Sequence, residues 1–329
     1  MPGAQERVLR RRINSVKATK KITRAMELIA ASRVVRAQQR ANSAKPYARQ
    51  ITAVIEDLAA AGAAVDHPLL REATGVRTVA YVVLSSDRGL AGAFSTSVIR
   101  AAERELMAGK LEGQDYLLIL VGRKAEGYFR FRNFRVEAAF PGISDKPTYE
   151  DARTIAELIT GKFESGDVDK VVLVFTEFLS IGSQRVVVRN FLPLQRTETI
   201  AAHGEAANVA GFEFEPSPEA VLSDLLPRYV EARLFAALLE SAASEHANRQ
   251  RAMKAATDNA EDMIVRLSRQ LNRARQDSIT TEIMEIIGGA QGLAEGKGDD
   301  EDLLIDHLDS PHLFPRHDGV LHHSPPSNV

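Results

Sequence analysis

The sequence contains no cysteine and no tryptophan in 329 residues, and aromatic side chains make up only 6% of it. Without Cys there is no disulfide, thiolate zinc site, Cys nucleophile or thiol redox switch. The chain is therefore compatible with a reducing compartment. No run approaches the about 18 consecutive apolar residues that a membrane-spanning helix needs, so membrane association has to pass through a partner. Net charge is nearly absent too, with 42 Lys and Arg against 44 Asp and Glu. That argues against a polyanion binder along the whole chain, while leaving room for local asymmetry. The first residues, Met1 to Arg7, run into charged helical sequence with no apolar stretch, so no secretory signal is expected.

What is present is divided by Gly and Pro more sharply than by hydropathy. Neither residue occurs from Ala4 to Lys45, or from Arg228 to Ile287. At 1.5 Å per residue these are helices of roughly 60 and 90 Å, whereas globular helices typically run about 8 to 20 residues. Two such helices must protrude, pair, or enter another body. In the second, Ala260, Ile264, Leu267, Leu271, Ala274 and Ser278 step by four and three, and Ile279, Ile283 and Ile286 continue in a shifted phase, as in a coiled-coil seam. The first carries Ile13, Val16, Ile22, Met26, Ile29 and Val34 at looser helical spacing, with Ala30 and Ala31 between them. Small seam residues allow close approach, which suits an antiparallel pair.

The middle of the chain, about Arg77 to Leu194, has a different grammar. Short apolar runs at 78–84, 116–121 and 171–175 alternate with helical stretches at 95–107 and 149–163. Continuous apolar strands alternating with helices indicate a parallel sheet covered on both faces. Arg185 to Arg189 alternates instead, and reads as an antiparallel edge strand. The expected fold is α/β: a Rossmann-like doubly wound sheet flanked by long N- and C-terminal helices forming an antiparallel coiled coil. The expected division is a coiled-coil helix over 4–62, the α/β domain over 76–194, a linker over 195–218, a second coiled-coil helix over 219–294 and a flexible tail over 295–329. Between Lys297 and Val329 lie seven acidic residues, two basic ones and five of the eight His.

Few residues suggest chemistry. Gly89 and Gly92 follow a strand and precede a helix, where a dinucleotide fold cradles phosphate. That fingerprint needs three glycines, and no phosphate-loop lysine motif occurs, so the glycines read as a tight strand-to-helix turn. Ser85, Ser86, Asp87 and Arg88 stand at a strand's carboxyl end, where α/β folds place function. His67, His203 and His246 have no flanking motif, which leaves only spatial neighbours to supply a nucleophile's base. The plainer reading is an Asp-Arg turn capping the following helix. The tail histidines 307, 312, 317, 322 and 323 match no structural zinc spacing and read as a solvated tail. Residues 1–60 hold 13 Lys and Arg against four acids, a net of plus nine. A helix that basic calls for an acidic partner: nucleic acid, anionic lipid, or acidic protein loops. Helices of this length favour a protein partner over the other two.

The segments Arg12 to Lys17 and Lys20 to Arg33, the Ser85-Ser86-Asp87-Arg88-Gly89-Leu90 loop, and Ala252 to Ala260 with Asn272 to Ala290 together resemble the gamma subunits of F-type ATP synthases. The resemblance spans about residues 7 to 294 and leaves no room for a transit peptide. It implies a non-catalytic rotor shaft: two terminal helices paired inside a ring of alpha and beta subunits, the α/β domain standing with epsilon on the membrane c ring, and the catalytic sites on beta. It implies no bound nucleotide or other cofactor, no metal, no nucleic acid, and a peripheral place at the cytoplasmic face of a bacterial membrane through the c ring alone. Met26, Arg249, Arg275, Gln276 and Thr280 match positions that face beta, and by charge Lys20, Lys21 and Arg24 face its acidic loops. The light-regulated form's cysteines are missing, which excludes thiol control. The alternative from a different class is a nucleic-acid-binding coiled coil, using the basic helix on phosphates.

Overall fold

The computed structural model describes residues 4–60, 67–71, 73, 75–194 and 217–295. The described residues fall into two bodies, a larger one within residues 11–267 and a smaller one of residues 4–10 with 268–295. The elements in order are α1 (Ala4–Ala60), a single turn of 3-10 helix (Pro68–Leu70), β1 (Thr78–Leu84), α2 (Phe94–Leu111), β2 (Asp115–Val121), α3 (Arg123–Phe131), β3 (Val136–Phe140), α4 (Tyr149–Glu164), β4 (Lys170–Phe178), β5 (Gln184–Leu192) and α5 (Pro218–Glu295). Both long helices run through a proline, Pro46 in α1 and Pro227 in α5. A proline removes one N–H and crowds the carbonyl a turn earlier. Buried apolar residues stand close to each one, Ile51 and Ile55 after Pro46 and Leu222 and Leu226 before Pro227.

Within the larger body the strands order β3-β2-β1-β4-β5. β1, β2, β3 and β4 are parallel, and β5 is antiparallel to β4 at the edge, as its alternating sequence indicated. The three central strands are buried on both faces, which is why their sequences are continuous apolar runs. Ala80, Val82, Leu84, Ile119 and Leu173 face one core, shared with α4 and the first turns of α5. Val79, Tyr81, Val83, Leu118 and Val174 face the other, shared with α2 and α3. Ile51 and Ile55 place the end of α1 in the first core. β3 was not evident in the sequence because it is a short edge strand with no fully buried residue.

The smaller body contains residues 4–10 of α1, with Glu6 and Leu9 buried, and residues 268–295 of α5. There Leu271, Ala274 and Ser278 are half-buried, while Ile279, Ile283 and Ile286 are exposed, so the shifted phase at the end of the repeat faces outward within this chain. The expected linker and tail, with His203 and the tail histidines, lie outside the described residues apart from residues 217, 218 and 295.

The N-terminus of α4 is closed by a capping box: Asp151 N–H donates to Thr148 Oγ1 at 3.2 Å, and Thr148 N–H donates to Asp151 Oδ2 at 2.8 Å. Replacing Thr148 by Ala is expected to cost about 1 kcal/mol of stability, measured by urea unfolding, because one helix N–H loses its acceptor.

Candidate functional site

Two features of the larger body bear on function: the seam between α1 and α5, and the seat of α5 on the sheet. On α1 the sheltered positions are Ile13, Val16, Lys20, Thr23, Glu27, Ala30, Val34 and Ala37, and on α5 they are Met253, Thr257, Ala260, Ile264 and Leu267. Both sets alternate steps of three and four, the coiled-coil period. The Thr23 and Thr257 hydroxyls lie 2.9 Å apart, and Lys20 Nζ is 3.1 Å from Glu261 Oε1, so residue numbers rise along one helix as they fall along the other. The pair is antiparallel. The expected stripe is corrected at two positions: Ile22 and Ile29 are 61% and 53% exposed, because the seam is filled by the small and polar residues Thr23 and Ala30 one position on.

Farther along, α5 sits across the carboxyl ends of the strands. Ser244 Oγ donates to the Thr176 carbonyl on β4 at 3.1 Å, and Asn248 Nδ2 donates to Gln184 Oε1 at the start of β5 at 3.3 Å. Arg251 reaches the Gly182 carbonyl and the same Gln184. Arg249 donates to the carbonyls of Arg88 and Gly89 at 3.4 Å, and a Cβ built on Gly92 would stand 3.7 Å from the Ala252 methyl. In this strand order the crevice between β1 and β4 is the topological switch point, where doubly wound sheets bind ligands. Here a helix of the same chain covers the Gly89–Gly92 loop. The turn expected of those glycines is present, with Leu90 and Gly92 at φ 64° and 58°.

The tripeptide Ser85-Ser86-Asp87 is also corrected. It does not cap α2, whose N-cap Ala93 makes no side-chain bond. It closes α3 instead, whose own N-cap is Gly122. Arg123 N–H donates to Asp87 Oδ1 at 3.1 Å, Lys124 N–H to the Ser86 carbonyl at 3.0 Å, and Ala125 N–H to Ser85 Oγ at 3.0 Å. Three orphan donors of one helix start are thus satisfied by a loop about 36 residues earlier. Gly122 makes the approach possible: its φ is 88°, and an added Cβ would lie 2.4 Å from the Ser85 carbonyl oxygen. Asp87 also accepts from Gly142 N–H at 2.8 Å and Ser144 N–H at 3.1 Å. Burial pushes its carboxyl up, but these backbone donors outweigh it and hold the group below the ordinary range. Ser85 donates to the Val121 carbonyl at 2.9 Å, so its hydroxyl is engaged at both ends and has no base beside it.

The seat holds a buried charged group. Arg249 Nη2 donates to Glu245 Oε1 at 2.6 Å, with both residues buried. Burial pushes the Glu245 carboxyl up, opposed by Arg249 and by the Ser144 hydroxyl. His246 Nε2 lies 3.3 Å from the Asp145 carbonyl and 3.5 Å from its Oδ1, and Arg249 Nη1 lies 3.5 Å from His246 Nδ1. These partners fit a neutral imidazole protonated at Nε2 and accepting at Nδ1. Burial lowers its pKa, Asp145 pulls it up, and Arg249 and Arg33 lower it further. Asp145 in turn accepts from Arg33 Nη1 on α1 at 2.7 and 2.6 Å. Beside this cluster, Arg36, Arg40 and Lys146 line an open groove of about 520 Å³ together with Arg33, Asp145 and His246.

The residues singled out in the sequence fall in separate places. Lys20 is paired with Glu261, Lys21 is exposed, and Arg24 donates to both Glu27 oxygens at 2.9 Å. Met26 is half-buried beside the seam, and Arg249 is 8% exposed inside the seat. Arg275, Gln276 and Thr280 are exposed on α5 in the smaller body, where Thr280 Oγ1 donates to the Gln276 carbonyl at 2.9 Å. Glu245, Ser144 and Asp145 were not found from the sequence, and His246 was noted there without partners, since the four meet only through tertiary packing. His67, the other described histidine without a motif, accepts from Leu69 N–H at 3.1 Å and caps the 3-10 turn. Among the described residues no group of three or more metal-ligating side chains occurs, and no helix is long and apolar enough to cross a membrane.

An antiparallel helix pair seated in the ligand crevice of a doubly wound sheet defines a two-helix α/β scaffold protein. The family model described as ATP synthase matches residues 5–293. An ATP synthase gamma chain of Frankia casuarinae is 52% identical over 298 residues, covering 89% of this chain and 99% of that one. That of Kineococcus radiotolerans is 48% identical over 296 residues, covering 89% and 98%. The chain belongs to the ATP synthase gamma-chain family. The fold is also that of a chain in the Euglena gracilis mitochondrial ATP synthase (OSCP/F1/c-ring), with TM-score 0.64, 18% identity and 92% and 100% coverage. A chain of the Tetrahymena thermophila mitochondrial ATP synthase central stalk and c ring gives TM-score 0.54, 23% identity and 71% and 99% coverage.

Two outcomes are expected of the purified chain. Replacing Arg249 by Ala should cost about 3 to 5 kcal/mol in urea unfolding, because Glu245 is left as an uncompensated buried charge. Replacing His246 by Gln should alter the pH dependence. An unfolded histidine takes up a proton below 6.5, while the folded one, with Asp145, Glu245, Arg249 and Arg33 around it, does so only at lower pH. His246 therefore lowers stability as pH falls through that window and has no such effect above it. The wild type should lose stability relative to the Gln variant between about pH 7 and 5, read from paired denaturation curves.

Proposed function

We propose that the chain is the central rotor shaft of an F-type ATP synthase, coupling ion-driven rotation of the c ring to ATP synthesis or hydrolysis at catalytic sites carried by the beta subunits. The observation that carries this reading is the antiparallel α1/α5 pair, two long helices braced along a seam that alternates steps of three and four. A torque-bearing shaft has to be stiff, and a helix braced along its length by a second helix resists bending and twisting better than one alone.

On this reading the paired helices enter a ring of three alpha and three beta subunits, and the α/β domain stands with epsilon on the c ring, so the chain is peripheral at the cytoplasmic face of the bacterial membrane. The expected coupling ion is the proton, and the selection of the ion lies in other subunits of the complex. Met26, Lys21 and Arg24 meet beta from α1, and Arg275, Gln276 and Thr280 meet it from α5. Lys20 contributes through its exposed part, since it also holds Glu261. Arg249, engaged inside the chain, bears on the ring by fixing where α5 runs. The nucleic-acid alternative has no support. Lys20, Arg24 and Arg33 carry carboxylate partners of this chain, which lowers the charge the basic helix can offer to phosphate.

The test is co-expression with the alpha and beta subunits of the same source, native mass analysis and an ATPase assay with and without this chain. A complex of three alpha, three beta and one copy of this chain, with sustained turnover that requires it, is expected. A chain that stays alone or pairs with itself would overturn the assignment.

A further inference from the structure

The rotor reading does not say how the α/β domain and the two helices are locked together in rotation, and the structure offers a specific answer. Helix α5 is fixed to the domain twice, by apolar side chains such as Leu226, Val230 and Leu234 in the core and by its polar seat over residues 244–251. Among the described residues, helix α1 enters the same core only at its far end, through Ile51 and Ile55. Over residues 11–50, the hydrogen bonds from described side chains of α1 to the α/β domain are those from Arg33 to Asp145. Asp145 lies on the loop between β3 and α4, and the same residue is within reach of His246 on α5. One residue thus contacts both helices of the pair.

The loop that carries it is itself anchored. Asp87 N–H donates to Ser144 Oγ at 2.9 Å, and the Asp87 carboxylate accepts from Gly142 and Ser144 N–H. Asp87 belongs to the loop after β1 that also closes α3. A continuous hydrogen-bonded path therefore runs from the sheet through Asp87 and Ser144 to Asp145, and from there to Arg33 on α1 and His246 on α5. Both Asp145 oxygens accept from the single Arg33 Nη1, a directional contact between groups 38% and 30% exposed, which apolar packing alone does not supply.

We propose that Asp145 is a torsional lock: it holds α1 in register with α5 and the α/β domain, so that rotation of the domain is transmitted to both helices of the shaft. Asp145 and Arg33 are positioning residues in this proposal, acting on the catalytic subunits only through the helices they hold. The proposal rests on the rotor reading above, and it concerns transmission within the chain, not contact with the ring.

The experiment uses the whole complex in sealed vesicles and compares ATP-driven ion pumping with ATP hydrolysis in the same preparation. For Asp145→Asn the ratio of pumping to hydrolysis is expected to fall several-fold while hydrolysis is retained, and Asp145→Glu is expected to recover most of the ratio. Arg33→Gln should reproduce the loss, and combining it with Asp145→Asn should add little, since both remove one pair. A control variant in the domain core, Ile155→Val, lowers stability without touching the pair and should leave the ratio unchanged. A normal ratio in both Asp145→Asn and Arg33→Gln would overturn the lock, as would an equal loss in Ile155→Val. If Asp145→Asn does not assemble, Arg33→Gln decides alone by the same ratio. Should the unmodified chain fail to support pumping at all, the rotor reading itself fails, and that outcome is distinct from loss in the variants only.

Discussion

The arrangement of residues 11–267 depends on one constraint: the crevice at the carboxyl ends of β1 and β4 is occupied by α5. A doubly wound sheet leaves loop N–H and carbonyl groups at that edge, and most such folds use them to hold a ligand. Here the Arg88 and Gly89 carbonyls, the Thr176 carbonyl and Gln184 are taken by side chains of a single helical stretch. Burying charge in that contact is costly unless it is paired, and the Glu245–Arg249 pair, one helical turn apart, meets the requirement. The seat fixes the direction in which α5 leaves the sheet, and through the seam it fixes α1 as well.

A helix seated on loops is only as rigid as the loops. The loop after β1 is held by serving as the cap of α3, so its conformation is tied to a helix whose Phe129 is fully buried. The loop after β3 is held by Asp87. The first connection depends on Gly122, where any side chain would collide with the Ser85 carbonyl. The sheet edge that in other proteins must open to admit a ligand is here braced by reciprocal hydrogen bonds, as suits a part that transmits force.

The seam follows a different logic from the core. Its centre is the Thr23–Thr257 pair with Ala30 and Ala260 on either side, and larger aliphatic residues such as Ile13, Val34, Met253 and Leu267 stand farther out. The two hydroxyls meet across the seam, and each also has a carbonyl acceptor in its own helix, Lys20 for Thr23 at 3.1 Å and Met253 for Thr257 at 2.9 Å, so neither is buried without a partner. Small residues bring the helix axes close and keep the pair slim. On the rotor reading proposed above, a narrow profile counts for more than added stability.

Sequence alone determined the parts whose pattern is local. Continuous apolar runs marked the three central strands, since burial on both faces leaves no room for polar residues. The alternating 185–189 segment marked the antiparallel edge, and uninterrupted spans marked the long helices. The family motifs were legible for the same reason, being contiguous in the chain. Tertiary structure decided what depends on distant residues meeting. Nothing near Asp87 in sequence indicates that it closes α3, because its partners lie 36 to 57 residues away. Which isoleucines line the seam was not decided by periodicity: Ile22 and Ile29 fit a helical stripe as well as Thr23 and Ala30 do, and only the position of α5 selects between them. Asp145, His246 and Glu245 carry no motif, since a buried polar cluster is defined by the dehydrated space its members share and not by their order along the chain.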